Sequence, residues 1–360
     1  MRTLKLEPFD NSTVLIVGGA GFVGSNLSRF LLDNTSLKKL VIVDNFLSSQ
    51  PENIPLDSRV DVLVGSIASE RVLARLHDDL DYVFHLGCFH GNQSSIHDPV
   101  ADHDNNSLTS LMLFEHLQHK PGIKKVVYAA AGCAVALKTY DEPAATHEDA
   151  PVSLFHDSPY SISKLVGEMY GNYYFQSSGL PFVKARFQNV YGPGEVLGAG
   201  QWRGTHHTVW RNVVPTFIWK ALHGEPLSLD NLGNSTRDFI YVGDLVEGLL
   251  RCALLGVPGE AYNLGTGVET TIRKVAELVL VESASDSELL LGPSRAWDTS
   301  GRRFAATNKS EEALRFVAST DIGSGIRETV SWTRENLHAV SAAIAKHQIH
   351  MIRDGSGGVL

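Results

Sequence analysis

The sequence predicts an α/β protein built on a doubly wound parallel sheet. Three observations carry that reading. Short β-rich runs recur through the first half, helix-compatible segments separate most of them, and a glycine turn follows the first run directly. The runs are Thr13 to Val17, Leu40 to Val43, Val60 to Val64, Tyr82 to Leu86, Lys125 to Tyr128 and Phe182 to Ala185. They read as apolar runs rather than alternations, as strands covered on both faces do. After Tyr191 the texture changes, and a glycine-rich stretch from Gly192 to Gly204 leads into Trp202, Trp210 and Trp219. Residues 346–360 end in Asp354-Gly355-Ser356-Gly357-Gly358 and read as a frayed tail. No internal repeat is visible.

Composition narrows the field. A chain of 360 residues that is 43% hydrophobic buries a full core as one large domain or two intimate ones. Its formal net charge is -9, with no block of consecutive basic residues, which argues against a nucleic-acid groove or an anionic membrane surface. No stretch approaches the roughly 20 apolar residues of a membrane span, and Met1 to Asp10 lack an apolar leader core. The chain therefore reads as cytoplasmic. Cys88, Cys133 and Cys252 are widely separated, without a C-x-x-C pair or a histidine at ligand spacing, so neither a disulfide framework nor a metal site is expected.

The first run opens the clearest motif. In Val14-Leu15-Ile16-Val17-Gly18-Gly19-Ala20-Gly21-Phe22-Val23-Gly24-Ser25 a buried strand meets a glycine turn and then an amphipathic helix running to Leu32. Glycines 18, 21 and 24 suit a tight turn, close approach to a pyrophosphate and close helix packing, while the helix start offers unpaired N–H groups to phosphate. Asp44 closes the next strand, where its carboxylate can accept from both hydroxyls of an adenosine ribose. The same charge repels a 2′-phosphate, so NAD is expected rather than NADP.

A second element lies in Ser158-Pro159-Tyr160-Ser161-Ile162-Ser163-Lys164, which sets a tyrosine and a lysine on one face at a helix start. A phenol near pKa about 10 is a poor base, and a neighbouring ammonium favours its phenolate. At this point the sequence resembles the extended short-chain dehydrogenase/reductase family, particularly its nucleotide-sugar epimerases and dehydratases, over about residues 13 to 340. Further motifs carry the resemblance: Phe84-His85-Leu86, Asn105-Asn106, Arg186-Phe187-Gln188-Asn189-Val190-Tyr191-Gly192-Pro193, Arg237-Asp238-Phe239-Ile240-Tyr241-Val242-x-Asp244, and Tyr262-Asn263-Leu264-Gly265.

The resemblance implies a Rossmann domain over residues 1–190, rejoined by about 236–266. A smaller, interleaved α/β substrate-binding domain would take 191–235 and 267–345. It assigns NAD to Gly18, Gly21, Phe22, Val23, Gly24, Asp44, Asn45, Ser66, Ile67, Leu86, Asn106, Tyr160 and Lys164. A nucleotide-diphosphate sugar falls to Asn189, Arg237, Arg295, Trp202, His206 and His207. Guanidinium forks suit phosphate oxygens on an otherwise acidic protein. The resemblance also implies a homodimer, paired through segments near Ser107 to Gln118 and Tyr160 to Phe175.

Departures from the family pattern bear on the reaction. Relatives carry Ser-Ser or Ser-Thr after the fifth strand, whereas this chain reads Ala129-Ala130-Ala131-Gly132-Cys133, so Ala131 stands where the hydroxyl of the triad is expected. Typical 4,6-dehydratases follow with an Asp-Glu pair, and Gly132-Cys133 cannot do that chemistry. Gly65-Ser66 replaces the Gly-Asp that contacts adenine in relatives. Cys133 matches a cysteine of GDP-mannose 3,5-epimerases, whose Gly-Thr-Trp-Lys-Gly stretch resembles Gly200-Gln201-Trp202-Arg203-Gly204. The expected activity is therefore an NAD-dependent epimerase working through a transient 4-keto sugar, foremost a C4-epimerase of the UDP-glucose/galactose type. The alternatives are 3,5-epimerisation through Cys133 with a histidine, a dehydratase or reductase, and a non-catalytic relative.

Overall fold

The computed structural model describes residues 4–136, 139, 141–195, 212–294 and 301–347. Six strands appear where the apolar runs placed them: β1 (Thr13–Val17), β2 (Lys39–Asp44), β3 (Val60–Val64), β4 (Tyr82–His85), β5 (Lys125–Ala131) and β6 (Phe182–Phe187). A seventh, Ala261–Leu264, pairs with β6 and completes a sheet in which every neighbour is parallel. The chain builds outward from β1 through β2 to β3, then crosses back to lay β4, β5, β6 and Ala261–Leu264 on the other side. Between β1 and β4 the connections leave in opposite directions and open a crevice at the strands' carboxyl ends, where open α/β sheets bind ligands.

Alternate residues of one strand feed two cores, which is what double winding requires. Val14 and Ile16 pack with Leu27 and Leu31 of the Phe22–Asn34 helix and with Leu245 and Leu249 of the Val242–Leu255 helix. Leu15 and Val17 face the opposite way, toward Leu113, Phe114 and Leu117 of the Thr109–Leu117 helix and Tyr174 of the Pro159–Ser178 helix. A separate core joins Tyr191, Phe217, Leu227, Phe239, Val275 and Ile326, all beyond β6.

The structure extends two expected strands. β5 continues through Ala129-Ala130-Ala131 and β6 through Arg186-Phe187, because those residues pair in register, Ala129 with Ala185 and Ala131 with Phe187. Alanine is a weak strand former, and cross-strand pairing overrides that preference here. Ala261–Leu264 and the two- and three-residue strands after β6, among them Asn189–Tyr191 and Phe239–Tyr241, carry too little periodicity to be read as strands from the residue pattern alone. Among the described residues no helix is long and apolar enough to cross a membrane.

Candidate active site

The glycine turn is held by contacts that exclude side chains. Gly18 sits at φ +80, and a β-carbon there would lie 2.6 Å from the α-carbon of Gly87, so the turns after β1 and β4 touch backbone to backbone. At Gly24 an added β-carbon would collide with the carbonyl oxygen of Gly18, which presses the helix onto the turn. Gly21 is the N-cap of the Phe22–Asn34 helix and has no side chain to bond the first-turn N–H groups. The first-turn N–H groups around Phe22 and Val23 are thereby positioned for an anion.

Asp44 closes β2 with a carboxylate fixed by three donors: the Ala20 N–H at 3.0 Å, the Phe46 N–H at 2.9 Å and the Ser49 hydroxyl at 2.8 Å. These bonds draw the glycine turn and the β2 loop together. A carboxylate offers about four acceptor positions, which leaves room for a ribose hydroxyl. Gly18, Asp44, Asn45, Ser66 and Ile67 line one groove, joined by Cys88, which the motifs did not single out. Leu86 turns its side chain into the first core, so its neighbours His85 and Gly87 face the groove instead. Burial, with Lys164 nearby, pushes the His85 imidazole down to about 3, and it is neutral near pH 7.

Asn106 stands in a π-helical turn, His103–Leu108, one of the wide turns that recur at functional sites. Its carboxamide accepts from the Phe89 N–H at 2.7 Å and donates toward Phe89 O, Asp102 Oδ1 and the Ser163 hydroxyl. It therefore clamps the loop after β4 onto the helix that carries Tyr160 and Lys164.

That helix, Pro159–Ser178, starts with proline at its first position and the Ser158 hydroxyl accepting from the Ser161 N–H. Ser95 Oγ accepts from the Tyr160 N–H at 3.0 Å. Lys164 Nζ donates to Ala129 O at 2.9 Å and lies 5.9 Å from the centre of the Tyr160 ring. Both side chains are buried. The expectation that lysine would favour the phenolate meets a stronger opposing effect, because burial pushes the Tyr160 phenol well above its ordinary value and the thiols of Cys88 and Cys133 act in the same direction. In the protein by itself Tyr160 is a neutral phenol.

Around Tyr160 the structure gathers Ala131, Ala134, Val135 and Leu165, with half-buried Cys133 against them. His90, also absent from the motifs, places its ring 5.6 Å from the Tyr160 ring, edge to face. Asn189 pairs with Phe239 and donates its N–H to Asp238 O at 2.8 Å, which sets its backbone one residue from Arg237 along the neighbouring strand. The Arg237 guanidinium donates to Thr236 O at 2.7 Å and Gly301 O at 3.1 Å. Trp202, His206, His207 and Arg295 lie outside the described residues.

Residues 14–265 match the sequence model of the NAD dependent epimerase/dehydratase family. The chain belongs to this family. A putative UDP-glucose 4-epimerase of Methanocaldococcus jannaschii is 29% identical over 326 residues, covering 90% of this chain and 99% of the relative. Among solved structures, the Bordetella bronchiseptica enzyme WbmF in complex with NAD+ is 48% identical with a TM-score of 0.85, covering 95% of this chain and 98% of that one. WbmF has also been solved with NAD+ and UDP. The UDP-glucose 4-epimerase of Thermotoga maritima with UDP-glucose is 29% identical, with a TM-score of 0.80 and coverage of 90% and 99%.

As an NAD-dependent epimerase/dehydratase, the protein presents a groove that fits its cofactor. The backbone cradle at Gly18 and Gly24 excludes side chains, the adjoining helix start has a glycine cap that makes no side-chain bond, and Asp44 faces the groove. Asp44 should enforce a preference for NAD of about tenfold or more, because its fixed carboxylate opposes the additional phosphate of NADP. Direct titration of the protein with both dinucleotides checks this, and equal affinities would remove the assignment.

Proposed function

We propose that this enzyme is a nucleotide-diphosphate-sugar epimerase that works through a transient 4-keto sugar, most simply a C4-epimerase acting on UDP-hexoses. The observation that carries the reading is the buried Tyr160 and Lys164 pair beside Gly132 and Cys133, where a dehydratase needs an acid pair. The names of similar proteins, a UDP-glucose 4-epimerase among them, support the choice of nucleotide.

NAD would be held by the turn from Gly18 to Gly24, by Asp44 with Asn45, Ser66 and Ile67 along the groove, and by Tyr160 and Lys164 at its far end. When bound, NAD supplies a hydride acceptor that returns its hydride within the same turnover. Tyr160 Oη, once its own proton has left and it stands as phenolate, takes the proton of the C4 hydroxyl and later gives it back. Lys164, already anchored on Ala129 O, has further N–H donors for ribose hydroxyls, and its charge favours the phenolate. Asn189 and Arg237 bind the diphosphate, which fixes the nucleotide while the sugar turns over. Arg295, Trp202, His206 and His207 belong to the same proposal as contacts to the diphosphate and sugar.

A second reading, 3,5-epimerisation, is favoured by Cys133 packed in the Tyr160 cluster and by the His90 ring beside it. The two differ in which bonds break. C4 chemistry keeps the migrating hydrogen on the cofactor, whereas enolisation exchanges ring hydrogens with solvent through a titratable side chain. Incubation with UDP-, GDP-, dTDP- and CDP-sugars in deuterated water, followed by NMR of the products, is the test. The expected outcome is a C4-epimerised UDP-sugar without ring deuterium and a Cys133→Ser variant of nearly normal rate. Deuterium at C3 or C5 that Cys133→Ser suppresses would establish the second reading instead. Absence of any turnover would defeat both.

We also propose a homodimer formed through the Pro159–Ser178 helix. Ile162, Met169 and Tyr173 are half or more exposed and fall on one stripe of that helix, with exposed Ile96 and Val100 on neighbouring turns. Burial of such a stripe by a second copy removes apolar surface from water. Sedimentation at micromolar concentration should give twice the chain mass, and a monomer would overturn the claim.

A further inference from the structure

The side chain of Gln188 occupies the space next to the missing hydroxyl. Ala131 ends β5 opposite Phe187 of β6, so Gln188 is the first residue past the shared edge of the two strands. Its backbone is fixed there by an N–H donated to Leu264 O at 3.1 Å. Glycines receive its side chain at both ends. A β-carbon on Gly265 would lie 2.6 Å from Gln188 Cγ, and one on Gly132 would lie 2.1 Å from Gln188 Nε2. The stem is thus packed against Gly265, and the carboxamide lies on the α-carbon of Gly132, one residue from Ala131 and in the same turn as Cys133. Ala131 and Cys133 belong to the cluster that surrounds Tyr160. Gln188 is half-buried, and its carboxamide makes no hydrogen bond among the described residues. A clamped amide with two N–H donors and one acceptor therefore stands over Gly132, beside the cluster around Tyr160, with no hydrogen-bond partner among the described residues.

We propose that Gln188 is a catalytic residue whose carboxamide donates the hydrogen bond to the reacting sugar oxygen that a hydroxyl at position 131 would otherwise donate. The proposal rests on the keto-sugar reading above. An alanine methyl cannot donate, and oxidation of an alcohol gathers charge on that oxygen, so an added donor beside Tyr160 stabilises the transition state more than the ground state. Because an amide does not titrate near neutrality, its contribution stays constant with pH. Gly132 fits the same account: any side chain there would evict the amide.

The test compares Gln188→Ala, the isosteric Gln188→Leu and the double variant Gln188→Ala/Ala131→Ser, using the UDP-sugar that the wild type turns over. Loss of one preorganised donor should lower kcat by about 100-fold in both single variants, with KM changed far less and NAD binding unaltered. Returning a hydroxyl at position 131 should restore at least tenfold of that loss, which a merely space-filling glutamine would not allow. A Gln188→Leu rate within about threefold of wild type would overturn the proposal while leaving the epimerase reading intact. So would a loss that accompanies weakened NAD binding and that Ala131→Ser does not recover. A wild type inert toward every nucleotide sugar would remove the reading and this proposal with it.

Discussion

Tyr160→Phe should abolish most turnover, by about 100- to 10,000-fold, while leaving the fold and NAD binding in place. The variant deletes one oxygen from a buried ring whose backbone N–H stays bonded to Ser95 Oγ, so packing changes little. Chemistry changes much more, because burial holds the phenol well above its ordinary value and its proton moves only when substrate and cofactor complete the pocket. A Tyr160→Phe enzyme that kept more than about a tenth of the wild-type rate would show that another group near the sugar takes the proton. His90 is the first to examine, with its ring 5.6 Å from that of Tyr160.

Glu168→Ala should be the most destabilising single change outside the groove, costing about 3–5 kcal/mol. Arg186 grips Glu168 with two parallel hydrogen bonds of 2.9 and 2.8 Å and reaches Glu148 O with a third at 2.7 Å. Both side chains of the pair are only 7% exposed. Removing one partner leaves an uncompensated guanidinium between the Pro159–Ser178 helix and β6. Glu148 in turn accepts from the Asn263 N–H at 2.8 Å, so the disturbance reaches the last strand of the sheet. Denaturant unfolding measures the cost, and a midpoint shift worth less than about 1 kcal/mol would mean that water reaches the pair. Replacing both residues by leucine should cost less than removing Glu168 alone.

The parts of the molecule that could be read from sequence are those whose partners are near in the chain. The turn from Gly18 to Gly24 and the acid at Asp44 belong to one βαβ unit, and their spacing already states their geometry. Tyr160 and Lys164 are neighbours on one helical turn. Asn106 was legible as a motif but not as a clamp, since Phe89 and Ser163, which it joins, lie 17 and 57 residues away. Leu86 sits in a groove-forming motif yet points into the core, because the strand's alternation decides its direction. Gln188 stood within a family motif without a role of its own and His90 lay outside every motif, for their importance arises only where β5, β6 and the loop after β4 converge. The smaller core beyond β6 joins the Val213–Leu222, Ile272–Ser283 and Ile322–Glu335 helices to strands of three residues, and strands that short show no periodic pattern.

The wide turn at His103–Leu108 matters mechanically as well as locally. A uniform α-helix advances about 100° per residue, so one inserted residue rotates every side chain beyond it out of alignment. Here the enlarged coil absorbs the extra residue within itself. Leu113, Phe114 and Leu117 keep facing the sheet, fully buried, while Asn106 faces Phe89 and Ser163. The continuous rod is divided into two independently aimed segments, one answering to the core and the other to the site. Deleting a single residue inside the turn should leave the core-facing segment docked and swing the carboxamide away from its partners, uncoupling the loop after β4 from the Tyr160 helix without unfolding either.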